Sequence, residues 1–459
     1  MDHRIVAMRL RSFAHSIAVA AFVVACASPT AAAAATMATT ARVAAHASAH
    51  PLHATAAWPN PVPANALGES WLEQKVSAGD GVPGTNFGYS LAISGTTAFI
   101  SAYQAVVGGN QAQGAVYVYS GPDGAWTETQ KLVADDGAAF HQFGEAIAFD
   151  GTTVLIAANG VSGFQGAVYV FGQEDGAWTQ TARLTAADGA ALDNFGWSVA
   201  IDGTVALIGA PYAEEGANED QGAAYVFEHV DGAWVSSGRL VAPDGAAGDN
   251  FGRAVAIDGD SLLVGAVNAA IDGEEMQGAA YLFERSEDGW LPSQKLVASD
   301  GAAVDNLGQA VALQDGVAVV GAPIRGAAYV FERGEAGWTE SRKLMPGDEP
   351  PGAAYFGYAL DFDGETIVIG ALNATIAGNQ FQGAAYVFGR DDGDWSAKGR
   401  LVASDGAAFE NLGIAVGVSG ADVLAGAYYA TVDGNAAEGA AYFFTRPLDE
   451  RIFTDGFDG

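Results

Sequence analysis

The stretch FGWSVAIDGTVALIGAPYAEEGANEDQGAAYVFEHVDGAW, from Phe195 to Trp234, is one copy of a unit that recurs along most of the chain. Each copy opens with Phe or Leu followed by glycine, continues to a Gly-Ala-x-Tyr core, and is bordered by tryptophan. The unit returns about every 50 residues, a period typical of propellers and solenoids. The opening residue occurs seven times, at Phe87, Phe143, Phe195, Phe251, Leu307, Phe356 and Leu412.

Residues within the unit alternate with a period of two, which favours strands over helices. In FGWSVAID, the large residues Phe195, Trp197, Val199 and Ile201 alternate with small or polar ones. TVALIGA and GAAYVFE are predicted to be the second and third strands, and WVSSGRLVA the fourth. Four strands in one unit make a propeller blade. The small residues give each blade a face on which the large residues of its neighbour can pack.

The phase of the repeats predicts how the ring closes. The array opens at Trp71 with WLEQKVSA, which matches a fourth strand, and stops at Arg446 after a third strand, GAAYFFTR. Residues 71–78 should therefore complete the blade that begins at Leu412, because closure removes the exposed edge of a linear array. The sequence predicts an all-β, seven-bladed β-propeller of four-stranded antiparallel blades over residues 71–446, with the last blade closed by the N-terminal strand.

The combination of Phe-Gly, an alternating strand and Gly-Ala-Pro, as in Phe195-Gly196 to Gly209-Ala210-Pro211, resembles the FG-GAP repeat. That repeat builds the integrin α-chain propeller and many secreted bacterial proteins. The resemblance covers residues 71–446, although Gly-Ala-Pro is complete only at residues 209–211 and 321–323. It implies a propeller that binds its ligand through loops.

Integrin-type repeats often carry a calcium loop, Asp-x-Asp-x-Asp-Gly, between the first and second strands. The connection here is shortened to sequences such as IDGT and FDGE. One aspartate cannot supply the six or more oxygen ligands that calcium takes, so an ordinary hairpin turn is predicted. The shortened form resembles a bacterial subclass without the cation. No cofactor or metal is predicted, and calcium is the alternative.

The first 35 residues carry arginines followed by an apolar run, Ile17 to Ala25, that is too short to span a bilayer. This pattern predicts a signal peptide over residues 1–35 and an exported protein, which in a bacterium would be secreted, periplasmic or on the cell surface. Cys26, the only cysteine, follows Val-Val-Ala and resembles a lipobox cysteine that would anchor the protein to lipid. The alternative is ordinary cleavage among residues 31–35, which would release a soluble protein.

Two further segments flank the array. Residues 36–70 are rich in Ala, Thr, His and Pro and are predicted to be a flexible linker. Residues 447–459 form an acidic C-terminal tail outside the repeat. It resembles the short tails of some exported bacterial proteins, and the alternative is an acidic end without a specific role.

The charge of the chain restricts its partners. The formal net charge is −34, which argues against nucleic acid and anionic lipid surfaces because both require basic patches. No mature segment is apolar and long enough to span a membrane. An extracellular protein or glycan is the expected partner, and a monomer is expected.

Strand order places the second-to-third loops and the fourth-to-first turns on one face of the propeller, hereafter the loop-rich face. The loops differ in length and content, and variable loops on a rigid scaffold commonly carry binding. Tyr212 and Tyr428 are candidate contacts in them. The turns repeat an Asp-Asn pair that could bind a cation or a sugar, or could cap its own turn. The pairs are Asp193 with Asn194, Asp249 with Asn250, and Asp305 with Asn306.

Three functions remain open at this point. A binding or adhesion module is favoured, because no nucleophile elbow, P-loop or zinc-protease motif occurs in the array and only His141 and His229 remain in it. A hydrolase or lyase acting on extracellular polymers is the second hypothesis, since aspartates are plentiful. A structural surface protein without a specific ligand is the third.

Overall fold

The computed structural model describes residues 71–121, 124–347, 352, 354–391 and 393–446. The predicted signal peptide, linker and C-terminal tail, residues 1–35, 36–70 and 447–459, lie outside this set. The described residues form twenty-eight strands and one helical turn, α1 (Val161–Phe164).

The strands are grouped below by the sheet they form, and the sheets are named blades A to G in chain order. Blade A contains β2 (Phe87–Ser94), β3 (Thr97–Ala102), β4 (Ala115–Ser120) and β5 (Thr127–Leu132); blade B, β6 (Phe143–Phe149), β7 (Thr153–Ala158), β8 (Ala167–Glu174) and β9 (Ala177–Leu184); blade C, β10 (Ser198–Asp202), β11 (Val205–Ala210), β12 (Ala223–Val230) and β13 (Ala233–Leu240); blade D, β14 (Phe251–Asp258), β15 (Ser261–Ala266), β16 (Ala279–Ser286) and β17 (Gly289–Leu296); blade E, β18 (Val311–Gln314), β19 (Val317–Ala322), β20 (Ala327–Gly334) and β21 (Gly337–Leu344); blade F, β22 (Phe356–Phe362), β23 (Thr366–Ala371), β24 (Ala384–Asp391) and β25 (Asp394–Leu401); blade G, β26 (Val416–Ser419), β27 (Asp422–Ala427), β28 (Ala440–Thr445) and β1 (Leu72–Val76).

The seven-bladed propeller predicted from the sequence is confirmed. Every sheet has four antiparallel strands, and the first strand of each blade contacts the first strands of both neighbours, so the ring is closed. The predicted closure is also confirmed, because β1 pairs antiparallel with β28, from Leu72 opposite Thr445 to Val76 opposite Ala441. A linear array would expose an unpaired strand edge at each end, and the pairing of β1 with β28 removes this exposure.

The first strand of the unit is less regular than its alternating sequence predicts. In blade C it begins at Ser198 and not at Phe195. In blade D, Phe251 is paired with Ala266 and Val255 with Val264, so three residues of β14 face one of β15. The cause is Gly252, whose φ of +90° is a left-handed conformation that makes a bulge. The bulge takes the third residue of each unit out of the hydrogen-bonded ladder.

The same glycine brings neighbouring blades into backbone contact. A Cβ atom on Gly209 of blade C would lie 2.1 Å from the carbonyl oxygen of Gly252 in blade D. A Cβ atom on Gly265 would lie equally close to the carbonyl oxygen of Gly308 in blade E. The small residues therefore serve inter-blade packing, as the sequence pattern suggested.

The residue before the glycine anchors each blade to the preceding one. The Phe251 N–H donates to the Gln221 carbonyl at 2.8 Å, and Phe251 forms a parallel bridge with Gly222 of blade C. Its ring is fully buried and lies edge-on to Tyr281, with 5.7 Å between centroids. Phe251 thus bonds to the preceding blade through its backbone and packs in the core of its own blade through its ring.

The tyrosine of the Gly-Ala-x-Tyr core fixes the turn that enters its blade. Tyr281 donates its hydroxyl hydrogen to Asp244 at 2.8 Å, and Lys295 forms an ion pair with the same carboxylate at 3.0 Å. Burial alone would raise the pKa of Asp244, but these two hydrogen bonds outweigh it and lower the pKa. The arrangement repeats at Tyr117, Asp80 and Lys131, at Tyr329, Asp300 and Lys343, and at Tyr442, Asp405 and Lys75.

Substitution of Gly88 tests the inter-blade contact where the ring closes. Gly88 has φ +89°, and a Cβ atom there would lie 2.4 Å from the carbonyl oxygen of Ala440. We expect Gly88→Ala to lower the free energy of unfolding by at least ~3 kcal/mol, because left-handed strain and a backbone clash add. Gly95→Ala is the matched control, since Gly95 also has a positive φ (+56°) but no atom within 4 Å. Chemical denaturation of both variants would contradict this account if their losses were equal.

Candidate functional site

Backbone hydrogen bonds show that turns and loops meet on the loop-rich face. The Asn250 N–H donates to the Asp220 carbonyl at 3.2 Å, and the Asn306 N–H donates to the Met276 carbonyl at 3.2 Å. Each bond joins the turn entering one blade to the second-to-third loop of the preceding blade. The candidate residues therefore belong to one continuous surface.

The carboxylates of the repeated Asp-Asn pairs are engaged within their own turns. The Oδ2 atoms of Asp193, Asp249 and Asp305 each accept a backbone N–H three residues earlier at 2.8 Å. The three residues are only 6–7% exposed, and burial raises their pKa values above the ordinary range. These bonds are the turn capping that the sequence left as an alternative to ligand binding.

The paired asparagines also bind backbone groups. Asn250 donates its amide hydrogen to the Pro211 carbonyl at 3.1 Å, and Asn306 donates to the Val267 carbonyl at 3.1 Å. Asn194 donates to the Leu192 carbonyl at 3.0 Å. All three have φ near +55°, a conformation that asparagine tolerates better than most residues. The ring of Asp-Asn pairs thus holds the turns in place.

The two candidate tyrosines lie at the inner margin of the loop-rich face. Tyr212 is half-buried and packs edge-on against Trp197, with 5.7 Å between ring centroids. Tyr428 is 7% exposed and lies 3.9 Å from the Tyr429 ring and 5.7 Å from the Tyr89 ring, measured between centroids. Each of them therefore contacts the third residue of a unit, Trp197 in the case of Tyr212 and Tyr89 in the case of Tyr428.

The third residue of each unit, which the bulge removes from the ladder, occupies the centre of the ring. We call these seven side chains the hub residues. Those of neighbouring blades touch: Tyr89 donates to Glu145 at 3.2 Å, and Arg253 donates to Gln309 at 3.2 Å. The Arg253 guanidinium also lies 4.5 Å from the centroid of the Trp197 ring. The hub residues are Tyr89, Glu145, Trp197, Arg253, Gln309, Tyr358 and Ile414.

Tyrosine is concentrated around the hub. The chain has fifteen tyrosines, of which seven belong to the Gly-Ala-x-Tyr cores and Tyr119 packs inside blade A. All the others lie at the hub or next to it. We call this set the hub tyrosines: Tyr89, Tyr103, Tyr212, Tyr355, Tyr358, Tyr428 and Tyr429.

The hub tyrosines converge from several blades on one place. Tyr89, Tyr355, Tyr358 and Tyr429 pack around Tyr428 in one apolar cluster built from blades A, F and G. Burial raises the pKa of Tyr212, and Tyr358 contributes to this rise although it belongs to blade F and Tyr212 follows blade C. Tyrosines of at least four units therefore lie near the centre of the ring.

Glu145 is the acidic member of the hub. Burial raises its pKa from 4.5 to about 7, although the hydrogen bond from Tyr89 acts in the opposite direction. Its Oε2 atom is buried and has no hydrogen-bond partner among the described residues. The same holds for both polar side-chain atoms of Asn159, which follows β7 in the same blade and is 3% exposed. Such groups bind water or a ligand, because leaving them unpaired costs free energy.

The hub was not identified from the sequence, although the sequence carried a signal for it. Across the seven units the first two residues hardly change, whereas the third is in turn aromatic, acidic, basic, amide or aliphatic. By alternation alone, Trp197 is one more large residue of the strand. The bulge, which alternation does not reveal, is what redirects that position to the centre.

The chemistry available at the hub is that of recognition. Aromatic rings, one guanidinium and one carboxyl group offer stacking, hydrogen bonds and a charge that changes near neutral pH. Among the residues that the structure describes, no group of three or more His, Cys, Asp or Glu side chains could hold a metal ion. Within the same residues, no helix has the length and apolarity needed to cross a membrane.

Comparison with known proteins agrees with the repeat structure. The family model described as the FG-GAP repeat matches the chain seven times, over residues 71–119, 126–171, 178–227, 234–283, 290–331, 338–388 and 395–444. Each match ends within the third strand of a blade and begins at the tryptophan that borders the unit. No curated protein matches the chain.

Titration of Glu145 should be visible in the stability of the fold. Since its pKa is higher in the folded than in the unfolded chain, the folded state binds this proton more tightly, and the free energy of unfolding falls as pH rises from about 4.5 to 7. Glu145→Gln keeps an acceptor for Tyr89 but cannot ionise. We expect it to be more stable than the parent by on the order of 2 kcal/mol at pH 8, with the difference shrinking toward pH 4.

Urea denaturation at a series of pH values would measure this difference. Tyr89→Phe is the companion variant: it removes a hydrogen bond that lowers the Glu145 pKa, so the pKa in the folded chain should rise further. The decline in stability should still begin near the pKa of the unfolded chain but extend to higher pH than in the parent. A stability difference between parent and Glu145→Gln that is constant from pH 4 to pH 8 would contradict the assignment.

Proposed function

Because this chain belongs to the FG-GAP repeat family, we propose that it is an exported binding or adhesion protein that recognises an extracellular protein or glycan through the loop-rich face. The FG-GAP propeller is commonly a ligand-binding scaffold, its members typically bind proteins and are non-catalytic, and they are commonly extracellular or surface-exposed. Export and a monomeric state are parts of the proposal that rest on the leader-like sequence and on the strong negative charge.

The observation that carries the proposal is the departure of the hub from sevenfold repetition. A position needed only for folding would be filled alike in every unit, as the opening Phe-Gly and the Gly-Ala-x-Tyr cores are. The hub position instead carries tyrosine on blades A and F, a carboxyl group on blade B, a guanidinium on blade D and an aliphatic side chain on blade G. Six different residue types among the seven copies of one structural position indicate selection for a ligand that is itself asymmetric.

Tyrosine and tryptophan suit this role. They give a large contact area with few rotatable bonds and keep one polar group for hydrogen bonding, which is why both are enriched at the energetic centres of protein interfaces. Tyr212 and Tyr429 are half-buried, so their rings have surface to offer without losing the support of Trp197 and Tyr428. We assign Tyr212, Tyr428 and Tyr429 to the ligand contact.

The Asp-Asn pairs have a supporting role in this proposal. Their side chains hold the turns that precede the Phe-Gly pair and the hub residue. Substituting them should therefore weaken binding indirectly, by displacing the hub residue. Each carboxylate accepts a backbone N–H of its own turn through Oδ2.

A binding screen tests the proposal. We expect the purified full chain to bind members of a glycan array or an extracellular-protein panel, and Tyr212→Ala or Tyr429→Ala to weaken that binding about tenfold or more, as hot-spot residues do. Binding should survive a calcium chelator, because the hairpins between first and second strands lack the ligands for that ion.

Val235→Ala is the matched control, since Val235 is 46% exposed on β13, away from the hub. Equal affinity of the tyrosine and valine variants would overturn the assignment of the hub. Binding that disappears with chelator would show that a cation takes part. A complete absence of binding, together with turnover of an extracellular polymer, would favour an enzyme.

A further inference from the structure

Exposed apolar side chains are concentrated on the loop-rich face. Twelve large hydrophobic residues are strongly exposed among those that the structure describes, and eight of them lie in the loops and turns of this face. The eight are Val82, Val106, Phe140, Phe164, Met276, Val304, Ile324 and Phe409. Clustering of this kind on one face of a soluble protein commonly marks an interaction surface.

Several of these side chains share one backbone position in the fourth-to-first turn. There the N–H donates to a carbonyl of the neighbouring loop: Phe140 to Gln111 at 2.8 Å and Phe409 to Gln380 at 2.9 Å. The bond recurs at Val304 and Gly248, each at 2.9 Å, and at Gly84 at 3.1 Å. We call this position the turn apex.

The turn apex is left-handed in every one of these units. Its φ is +79° at Gly84 and +84° at Gly248, where glycine adopts it without strain. Phe140, Val304 and Phe409 have φ of +64°, +68° and +70°, and a bulky or β-branched residue in this region is a true outlier. The chain therefore shows two solutions to the same turn, one relaxed and one strained.

The side chains at the strained turn apices remain largely exposed, so their packing does little to offset the backbone strain. Phe140 is 60% exposed, and Phe409 is 44% exposed although its ring lies against Phe381, with 5.4 Å between centroids. Glycine at the same place would fold with less strain. Strained residues that the fold does not need commonly serve function, so the apolar side chain itself is the feature being kept.

The loops between these apolar residues are acidic on one side of the ring. Blades C and D contribute acidic side chains, nearly all of them exposed, to their second-to-third loops. They are Glu214, Glu215, Glu219, Asp220, Asp272, Glu274 and Glu275. Phe140 lies in the turn that enters blade B, and Phe164 lies in the second-to-third loop of that blade, next to blade C. Phe381 lies in the second-to-third loop of blade F and Phe409 in the turn that follows this blade, with blade E between them and blade D.

We propose that the turn-apex residues Phe140, Val304 and Phe409 are ligand-contact residues, and that the partner is a protein whose docking surface combines apolar side chains with lysine or arginine. The proposal rests on the proposed function and specifies the partner. Charge complementarity selects this partner, because the acidic loops attract basic groups while repelling anionic lipid or a second copy of a chain with a net charge of −34.

The experiment uses the full chain and a phage-displayed library of random peptides as the probe. Selected peptides are synthesised, and their affinity is measured for the parent and for Phe140→Gly, Phe409→Gly, Tyr429→Ala and Glu274→Gln/Glu275→Gln. The glycine variants transplant the solution that the chain itself uses at Gly84 and Gly248. We therefore expect their thermal midpoints to equal or exceed that of the parent, while peptide affinity falls about tenfold.

The result that supports the proposal is selection of peptides containing both aromatic or aliphatic and basic residues, with affinity lost in the glycine variants and reduced in the double glutamine variant. Two results would overturn it. In one, the glycine variants bind as the parent does while Tyr429→Ala does not, so the hub remains a binding site and the turn apex is excluded. In the other, the glycine variants lose thermal stability, which would make these phenylalanines structural. Selection of no peptide, or of peptides insensitive to every variant, would count against both this inference and the proposed function.

Discussion

The close approach of backbones at the second residue of each unit is the constraint on which the propeller depends. Gly252 must adopt a φ of +90°, and a Cβ atom on the facing residue, Gly209, would clash with the carbonyl oxygen of Gly252. A left-handed glycine produces the bulge, the bulge sends the third residue to the centre of the ring, and the Phe before it bridges to the previous blade. One conformational requirement thus sets blade spacing, ring closure and the position of the hub.

The sequence was sufficient for the architecture because the fold repeats its physical solutions. Seven copies of Phe-Gly or Leu-Gly, each followed by Gly-Ala-x-Tyr, fix strand order, and the out-of-phase ends predict that β1 completes blade G. What alternation could not predict is the bulge after Phe251, since a left-handed glycine has no signature in a pattern of large and small residues. For the same reason, the first strand of blade C begins at Ser198, although the alternating pattern predicts a start at Phe195.

The candidate site was harder to predict, because side chains that cap a turn and side chains that bind a ligand have the same chemistry. Asp249 and Asn250 repeat with the blades, and their hydrogen bonds are to backbone groups of the turn and of the neighbouring loop. Tyr212 and Tyr428 were chosen as loop residues, and the structure places both beside the hub. Repetition therefore identifies what the scaffold needs, and departures from it identify positions that the scaffold alone does not determine.

Two kinds of departure from repetition occur on the loop-rich face, and they differ in physical character. At the hub, burial holds the pKa of Glu145 at about 7 beside the half-buried Tyr89, and its Oε2 atom has no hydrogen-bond partner among the described residues. At the turn apex, Phe140 keeps a strained backbone and an exposed ring. At the turn apex the fold would be less strained with the glycine that two other units use, Gly84 and Gly248. The free energy lost at such unfavourable positions must be compensated by interactions elsewhere in the fold. Seven blades that are hydrogen-bonded to one another provide these interactions, so the propeller can tolerate unfavourable residues at its centre and at the turn apices.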